Sequence, residues 1–243
     1  MIYIDQTTHP YFQSLARLVS FHLKQPNEIT SDYTKKGLWI LSYWSQLYKS
    51  VDKITANGCK YIAVQTEPMH IKGHEAYKTF LNNAESVWDY TKNFEIGYSD
   101  YFRIQAEEAK DIDVLFYGKV NPRRKEIIDK IPNITVVDNV YSPEIYTYIR
   151  RAKIVLSLKF HEKSNADWTR IAPLLSNRAF IIAERVSDNR FNDLIHHIVI
   201  SERKFIPSLC KAFLKSPLER IELADKGYEY LKTSRLTQLN TIY

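Results

Sequence analysis

Glycine is scarce: six occur in 243 residues, at positions 37, 58, 73, 97, 118 and 227, and no two are close in sequence. That spacing excludes a G-x-G-x-x-G dinucleotide fingerprint and a Walker A loop, both of which group glycines around a phosphate. Any phosphate is therefore expected on helix termini and basic side chains. Cysteine is rarer still. Cys59 and Cys210 supply neither a zinc-ligand spacing nor a disulfide framework, so a reducing, cytoplasmic setting is expected. Apolar runs fall short of the ~18 residues of a membrane helix. Met1 to Asp5 opens as a strand, without a basic region and a following apolar stretch, so no signal peptide is expected. There is no internal repeat and no low-complexity tract.

What is present describes a folded α/β chain. Apolar residues make up 44% and charged residues 26%, which suits a globular protein long enough to bury a core. Thirty-four Lys and Arg against 28 Asp and Glu leave a net charge of +6. That excess suits anionic ligands, nucleic acid or an acidic membrane surface without choosing among them.

Periodicity organises the second half most clearly. Asp113 to Tyr117, Ile134 to Val137, Ile154 to Leu158 and Phe180 to Ala183 are short apolar runs of the kind found in buried parallel strands, and Ile198 to Ile200 is a further short one. Between them lie helical stripes. Ser142 as N-cap and Pro143 at N1 precede Ile145, Tyr148, Ile149 and Ala152. Trp168, Ile171, Ala172 and Leu175 form another stripe, with Pro173 inside it, and Ile206, Leu209, Cys210 and Phe213 a third. Strict alternation of β and α predicts a parallel sheet covered on both faces. The first half alternates less cleanly. Ile2 to Ile4, Leu38 to Ser42, Tyr61 to Gln65 and Val87 to Tyr90 are strand candidates, and Tyr11 to Lys24 is a helix candidate.

The chain turns polar and irregular between Phe94 and Asp111, which places the boundary. The expected organisation is an N-terminal lobe at 1–97, a linker at 98–111, a C-terminal lobe at 112–215 and a helix with tail at 216–243. That last segment opens with the capping box Ser216-Pro217-Leu218-Glu219 and carries Ile221, Ala224, Tyr228 and Leu231 on one face; docking back across the boundary is one option for it. The fold class expected is α/β, two Rossmann-like lobes with parallel sheets and an interdomain cleft, ligands sitting at the carboxyl ends of the strands.

Some residues break a local rule. Arg123 and Arg124 follow Asn121, a plausible N-cap, and Pro122, so both fall in a helix's first turn, where cations oppose the dipole at about 0.3–1 kcal/mol each. A bound anion would resolve that conflict; two solvated arginines are the plainer alternative. Arg170 lies in the first turns of a later helix, behind Asn165, at the carboxyl end of another strand. It either converges with Arg123 or Arg124 on a diphosphate or makes a surface ion pair with Asp167 or Glu162.

The ordered series Asp113-Val-Leu-Phe-Tyr-Gly118, Asn121-Pro-Arg123-Arg124, Val140-Tyr141-Ser-Pro-Glu144, Arg151-Ala-Lys-Ile-Val-Leu156, Trp168-Thr-Arg170-Ile and Phe180-Ile-Ile-Ala-Glu184 resembles the donor-binding half of GT-B-fold glycosyltransferases, especially small viral and bacterial ones. The resemblance runs from residue 85 to residue 215, and Tyr61 to Glu67 with Val87-Trp-Asp-Tyr90 is similar, more loosely, to the acceptor-side lobe. It implies a nucleotide-diphosphate sugar as co-substrate, with no other cofactor. Gly118 would let the backbone approach the donor, and Arg123, Arg124 or Arg170 would neutralise the diphosphate leaving group. Tyr141 would border the base, while Asp167 or Glu184 would accept ribose hydroxyls; Glu184 is equally readable as a strand-end residue facing solvent. Two departures, a short acceptor lobe and the lack in the donor half of the spaced glutamate pair of larger GT-B enzymes, leave the donor's identity open.

An acid–base residue is expected from the first lobe. Glu67 ends the strand Tyr61 to Gln65 just before Pro68, and His9 follows the first strand; both are catalytic candidates, with His70 a rival. No metal is expected. Asp111-Ile-Asp113 resembles a metal-holding D-x-D but precedes a strand, and His70 with His74 lacks a third ligand and spans Gly73. Trp39, Tyr43, Trp44 and Tyr48 read as core aromatics or as a sugar-binding wall, and Lys35-Lys36 and Arg203-Lys204 as solvated pairs. The expected activity is metal-independent transfer of a sugar to a hydroxyl acceptor: a glycan, a lipid-linked sugar at a membrane surface, or a modified DNA base. Partners would then include DNA, through the basic surface, or a membrane by peripheral association. The other reading is a non-catalytic nucleotide-sugar or nucleic-acid binding module.

Overall fold

The structure, a computed structural model, describes residues 1–6, 10–23, 25–41, 44–65, 75–89, 98, 102–103, 109–164, 167–187 and 189–233. Contacts divide the chain into two units, Met1–Glu95 and Ile96–Leu236, each with its own sheet.

The first unit runs β1 (Ile2–Asp5), α1 (Pro10–His22), β2 (Asn27–Thr30), β3 (Leu38–Leu41), α2 (Trp44–Ala56), β4 (Tyr61–Gln65), α3 (Glu75–Asn82) and β5 (Ser86–Asp89). All five strands pair in parallel in the order β2-β1-β3-β4-β5. Every residue of β4 is buried, as a central strand covered on both faces requires. Trp39, Leu41, Tyr61 and Ala63 pack against Ile54 of α2 and Tyr77 and Phe80 of α3. Trp39 is thus a core residue, whereas Tyr43 and the side chains of Trp44 and Tyr48 lie outside the described residues. Strand β2 escapes the sequence pattern because three of the four residues in Asn27-Glu28-Ile29-Thr30 are polar. It forms an edge of the sheet and needs only one buried flank.

The second unit runs β6 (Ile112–Tyr117), α4 (Pro122–Ile128), β7 (Ile134–Val137), α5 (Ile145–Arg151), β8 (Ala152–Ser157), α6 (Trp168–Ser176), β9 (Ile181–Glu184), a 3-10 helix (Asn189–His196), β10 (Val199–Ser201), a second 3-10 turn (Arg203–Phe205), α7 (Ile206–Leu214) and α8 (Pro217–Thr233). The parallel order is β10-β9-β8-β6-β7. Val114, Phe116, Ile154, Leu156 and Ile182 form one face of the sheet and pack with Ile127 and Ile128 of α4 and Ile206 and Cys210 of α7. Helices α5 and α6 pack on β8, and α5 also on β6.

Three local expectations give way to tertiary pairing. Residues 142–144 form a turn that contains the cis Ser142–Pro143 peptide; α5 opens at Ile145, and its N-cap position, Glu144, makes no side-chain cap bond. Ala152, read as the end of that helix, instead opens β8, because it pairs with Ile112 of β6. Ile221, placed on the buried face of α8, is 58% exposed, while Gly227 joins Ala224, Tyr228 and Leu231 in contact. Helix α8 packs on α6, on α7 and on the 3-10 helix of its own unit. Gly227 permits this, since a Cβ there would stand 2.7 Å from Leu175 Cδ2 and 3.0 Å from the His197 carbonyl oxygen. Phe102, within the segment expected as a linker, is buried; it packs edge-on against Tyr146 and its carbonyl accepts from Asn177 Nδ2.

Candidate functional site

Both sheets share one strand order. The second strand of each lies outside the first, and the third, fourth and fifth follow on the other side. The chain therefore reverses direction between β1 and β3 and between β6 and β8. At such switch points the flanking loops diverge and open a crevice at the carboxyl ends of the strands.

In the second unit that crevice is basic. Gly118 follows β6 with φ +103, a conformation that side chains rarely adopt, and a Cβ there would come within 3.1 Å of Arg170 Nη2. Arg170 arrives from α6, whose N-cap, Asp167, accepts from the Arg170 amide at 3.2 Å and holds its Nε at 3.6 Å. Arg170 Nη1 donates to the Tyr117 carbonyl at 2.8 Å, and its guanidinium lies 4.1 Å from the Tyr117 ring centroid. Of the two ion pairs considered from sequence, the Asp167 pair is the one formed.

Asn121 caps α4 by accepting from the Arg124 amide at 2.9 Å, and its Nδ2 donates to the Phe160 carbonyl at 2.7 Å, tying together the loops after β6 and β8. Arg124 is 7% exposed and donates to the carbonyls of Leu158, Lys159 and Lys119. The rings of Phe116 and Phe160 lie 5.3 and 5.0 Å from its guanidinium. Burial, helped by the nearby Arg170 charge, lowers its pKa to about 10, so it remains a cation at neutral pH. Arg124 and Arg170 thus both lie close to the Phe116 ring at the switch point, 5.3 and 5.9 Å from its centroid.

Arg123 takes the other direction. Its two Nη atoms bind both carboxylate oxygens of Glu184, Nη1 to Oε2 at 2.8 Å, and its Nε donates to Glu162 at 2.7 Å. The Glu184 bonds hold the Arg123 pKa above the usual arginine range. Glu184 is 4% exposed and also accepts from the Lys159 amide, so it is a buried ion-pair partner rather than a strand-end residue facing solvent. The structure therefore groups Gly118, Asn121, Arg124, Asp167 and Arg170, and sets Arg123 with Glu184 as a separate pair. The dipole conflict visible in the sequence is answered within the chain, by carboxylates for Arg123 and by carbonyls for Arg124. Tyr141 is half-buried just beyond β7, with its carbonyl accepting from the Ile145 amide.

Glu67, His9, His70, His74 and Asn165 lie outside the described residues. Asp111 and Asp113 lie at the amino end of β6, away from the switch point, paired with Arg151 and Lys153 at 2.6 Å each. Sequence reasoning missed one polar group, Asp5, the last residue of β1 and 3% exposed. Tyr33 Oη donates to its Oδ1 at 2.7 Å and is itself bonded to Ser50 of α2. Burial raises the Asp5 carboxyl pKa and pushes the Tyr33 hydroxyl up to about 12. The available signal was a carboxylate closing the strand Ile2-Tyr3-Ile4 at a first βα turn.

No protein-family model and no curated protein matches the sequence. Solved structures do match. An alpha-glucosyltransferase, solved in complex with UDP and a 13-mer DNA containing a central A:G mismatch, is similar with a TM-score of 0.62 at 9% identity, over 95% of this chain and 94% of that one. AviGT4, a glycosyltransferase involved in avilamycin A biosynthesis, is similar with a TM-score of 0.52 at 11% identity, over 95% and 98%. TarM gives a TM-score of 0.54 at 8% identity, over 80% of this chain and 51% of that one, so the chain spans about half the length of TarM. The fold is GT-B. Its two parallel five-stranded sheets are the two Rossmann-like units of that architecture.

Proposed function

We propose that the chain is a glycosyltransferase that moves a sugar from a nucleotide-diphosphate donor to a hydroxyl acceptor. The observation that carries this reading is the pair Arg124 and Arg170 at the second switch point, beside a glycine whose φ is positive. Negative charge grows on the diphosphate as the glycosidic bond breaks, and fixed guanidinium groups stabilise it in the transition state without reorganising. Arg124 is already locked by three carbonyls, so it acts as a fixed positive field. Arg170, which spends one guanidinium bond on the Tyr117 carbonyl, is the direct ligand. Gly118 gives the phosphates access to the backbone, Asp167 accepts from the ribose and Tyr141 borders the base. Arg123 and Glu184 hold the loop after β8 in place from the side.

Transfer in this reading needs no metal, because the arginines carry the leaving-group charge. Glu67 and His9 are the acid–base candidates, and Asp5 joins them from the first switch point. The acceptor is a glycan, a lipid-linked sugar or a modified DNA base; the DNA in the similar alpha-glucosyltransferase complex favours keeping the last. A viral or bacterial source and a cytoplasmic location fit the same reading. A second reading, a non-catalytic nucleotide-sugar or nucleic-acid binding module, is favoured by the mutual satisfaction of Arg123 and Glu184.

A panel of UDP-, GDP- and TDP-sugars in a thermal-shift assay tests donor binding, and a transfer or hydrolysis assay tests turnover. One donor is expected to raise the melting temperature and to be consumed. Binding without turnover would favour the module, and no shift from any donor would overturn the transferase reading and leave the module only its nucleic-acid form.

A further inference from the structure

A groove of about 510 Å3 lies within the second unit, over the carboxyl ends of β8, β9 and β10. That volume suits a small ligand. Its lining shares Lys159, Glu162 and Glu184 with the ion-pair cluster around Arg123, but includes neither Arg124 nor Arg170. Counting Arg123, which lies against that cluster, the groove is served by six cations and four carboxylates.

The two signs are not equally satisfied. Glu162 and Glu184 are held by Arg123, Glu126 by Arg203, and Glu202 by Lys204 at 3.7 Å. Lys130, beyond the end of α4, and Arg185, beyond the end of β9, have no side-chain ion pair or hydrogen bond among the described residues. Both are exposed. The groove therefore presents positive charge that no group among the described residues answers, which draws an anion. Its carboxylates keep lone pairs that can accept from hydroxyls even while ion-paired.

We propose that this groove is a second anion site, distinct from the diphosphate site, that binds a phosphate monoester of a polyhydroxylated molecule. The phosphate is taken by Lys130 and Arg185, and hydroxyls are taken by Glu126 and Glu202. Arginine supplies a forked donor that matches phosphate, and lysine supplies a compact charge beside it.

Calorimetric titration with inorganic phosphate and with glycerol 3-phosphate tests this on the full chain, as wild type and as the double variant Lys130→Ala/Arg185→Ala. Both probes are expected to bind the wild type, the ester more tightly, with the double variant weakened about tenfold or more. No binding to the wild type, an unchanged double variant, or an ester no tighter than phosphate would each overturn the proposal. Donor binding is read separately, by the nucleotide-sugar panel.

Discussion

The two sheets have the same strand order and opposite chemistry at their switch points. Between β6 and β8 stand Arg124 and Arg170, two cations close to the Phe116 ring; at the end of β1 stands Asp5, a buried carboxyl bonded by Tyr33. Topology supplies the crevice in both units, but the side chains projected into it decide what each can hold. Shared fold therefore carries little functional information until the residues at each crevice are compared. In the proposed reading the second crevice takes the diphosphate, and the first takes a hydroxyl or a proton.

That contrast can be broken from the basic side first. Arg123→Ala leaves Glu184 charged and buried without its main partner, and should cost about 3–5 kcal/mol in a urea unfolding experiment. A loss below about 1 kcal/mol would mean that the pair is not structural. Arg170→Ala should cut turnover of a nucleotide sugar about 10²–10³-fold, the scale for removing one electrostatic donor, and so far more than it lowers the unfolding midpoint. Equal turnover with a normal fold would remove the diphosphate role. Gly118→Ala pits a methyl group against a φ of +103 and against Arg170 Nη2. A stability loss of about 1–3 kcal/mol is expected, together with weaker donor binding as Arg170 is displaced.

The acidic side gives the smallest effect, read through pH. The Asp5 carboxyl has a raised pKa in the folded state, so the fold binds its proton more tightly than the unfolded chain does. Its contribution to stability is complete below the ordinary carboxylate value of 3.8 and is lost as pH rises through the higher folded value. Asp5→Asn should flatten the melting-temperature profile upward from 3.8 and raise stability at neutral pH. A profile identical to wild type would show that Asp5 does not titrate differently on folding.

Much of the second sheet is legible in the sequence, because a strand buried on both faces must be apolar throughout. Val114-Leu115-Phe116 and Ile154-Val155-Leu156 meet that demand without any neighbour being known. Edge strand β2 does not have to meet it and leaves no such trace. Arg123 and Arg124 are visible as a conflict with the helix dipole, yet adjacent residues on a helix point about 100° apart, and the sequence carries no indication of which one meets Glu184.

The sequence by itself therefore determines the alternation of strands and helices, the parallel sheets that follow from it, the exclusion of glycine-rich phosphate loops and the presence of arginines at helix starts. Only the tertiary structure decides their roles. Glu184 lies 61 residues from Arg123 along the chain, and Arg170 lies 53 residues from the Tyr117 carbonyl that it binds. Partners so far apart are brought together by strand order and register, which come from the packing of the whole sheet rather than from any local run of residues. The same packing turns one arginine of an adjacent pair toward an ion pair and the other toward the switch point.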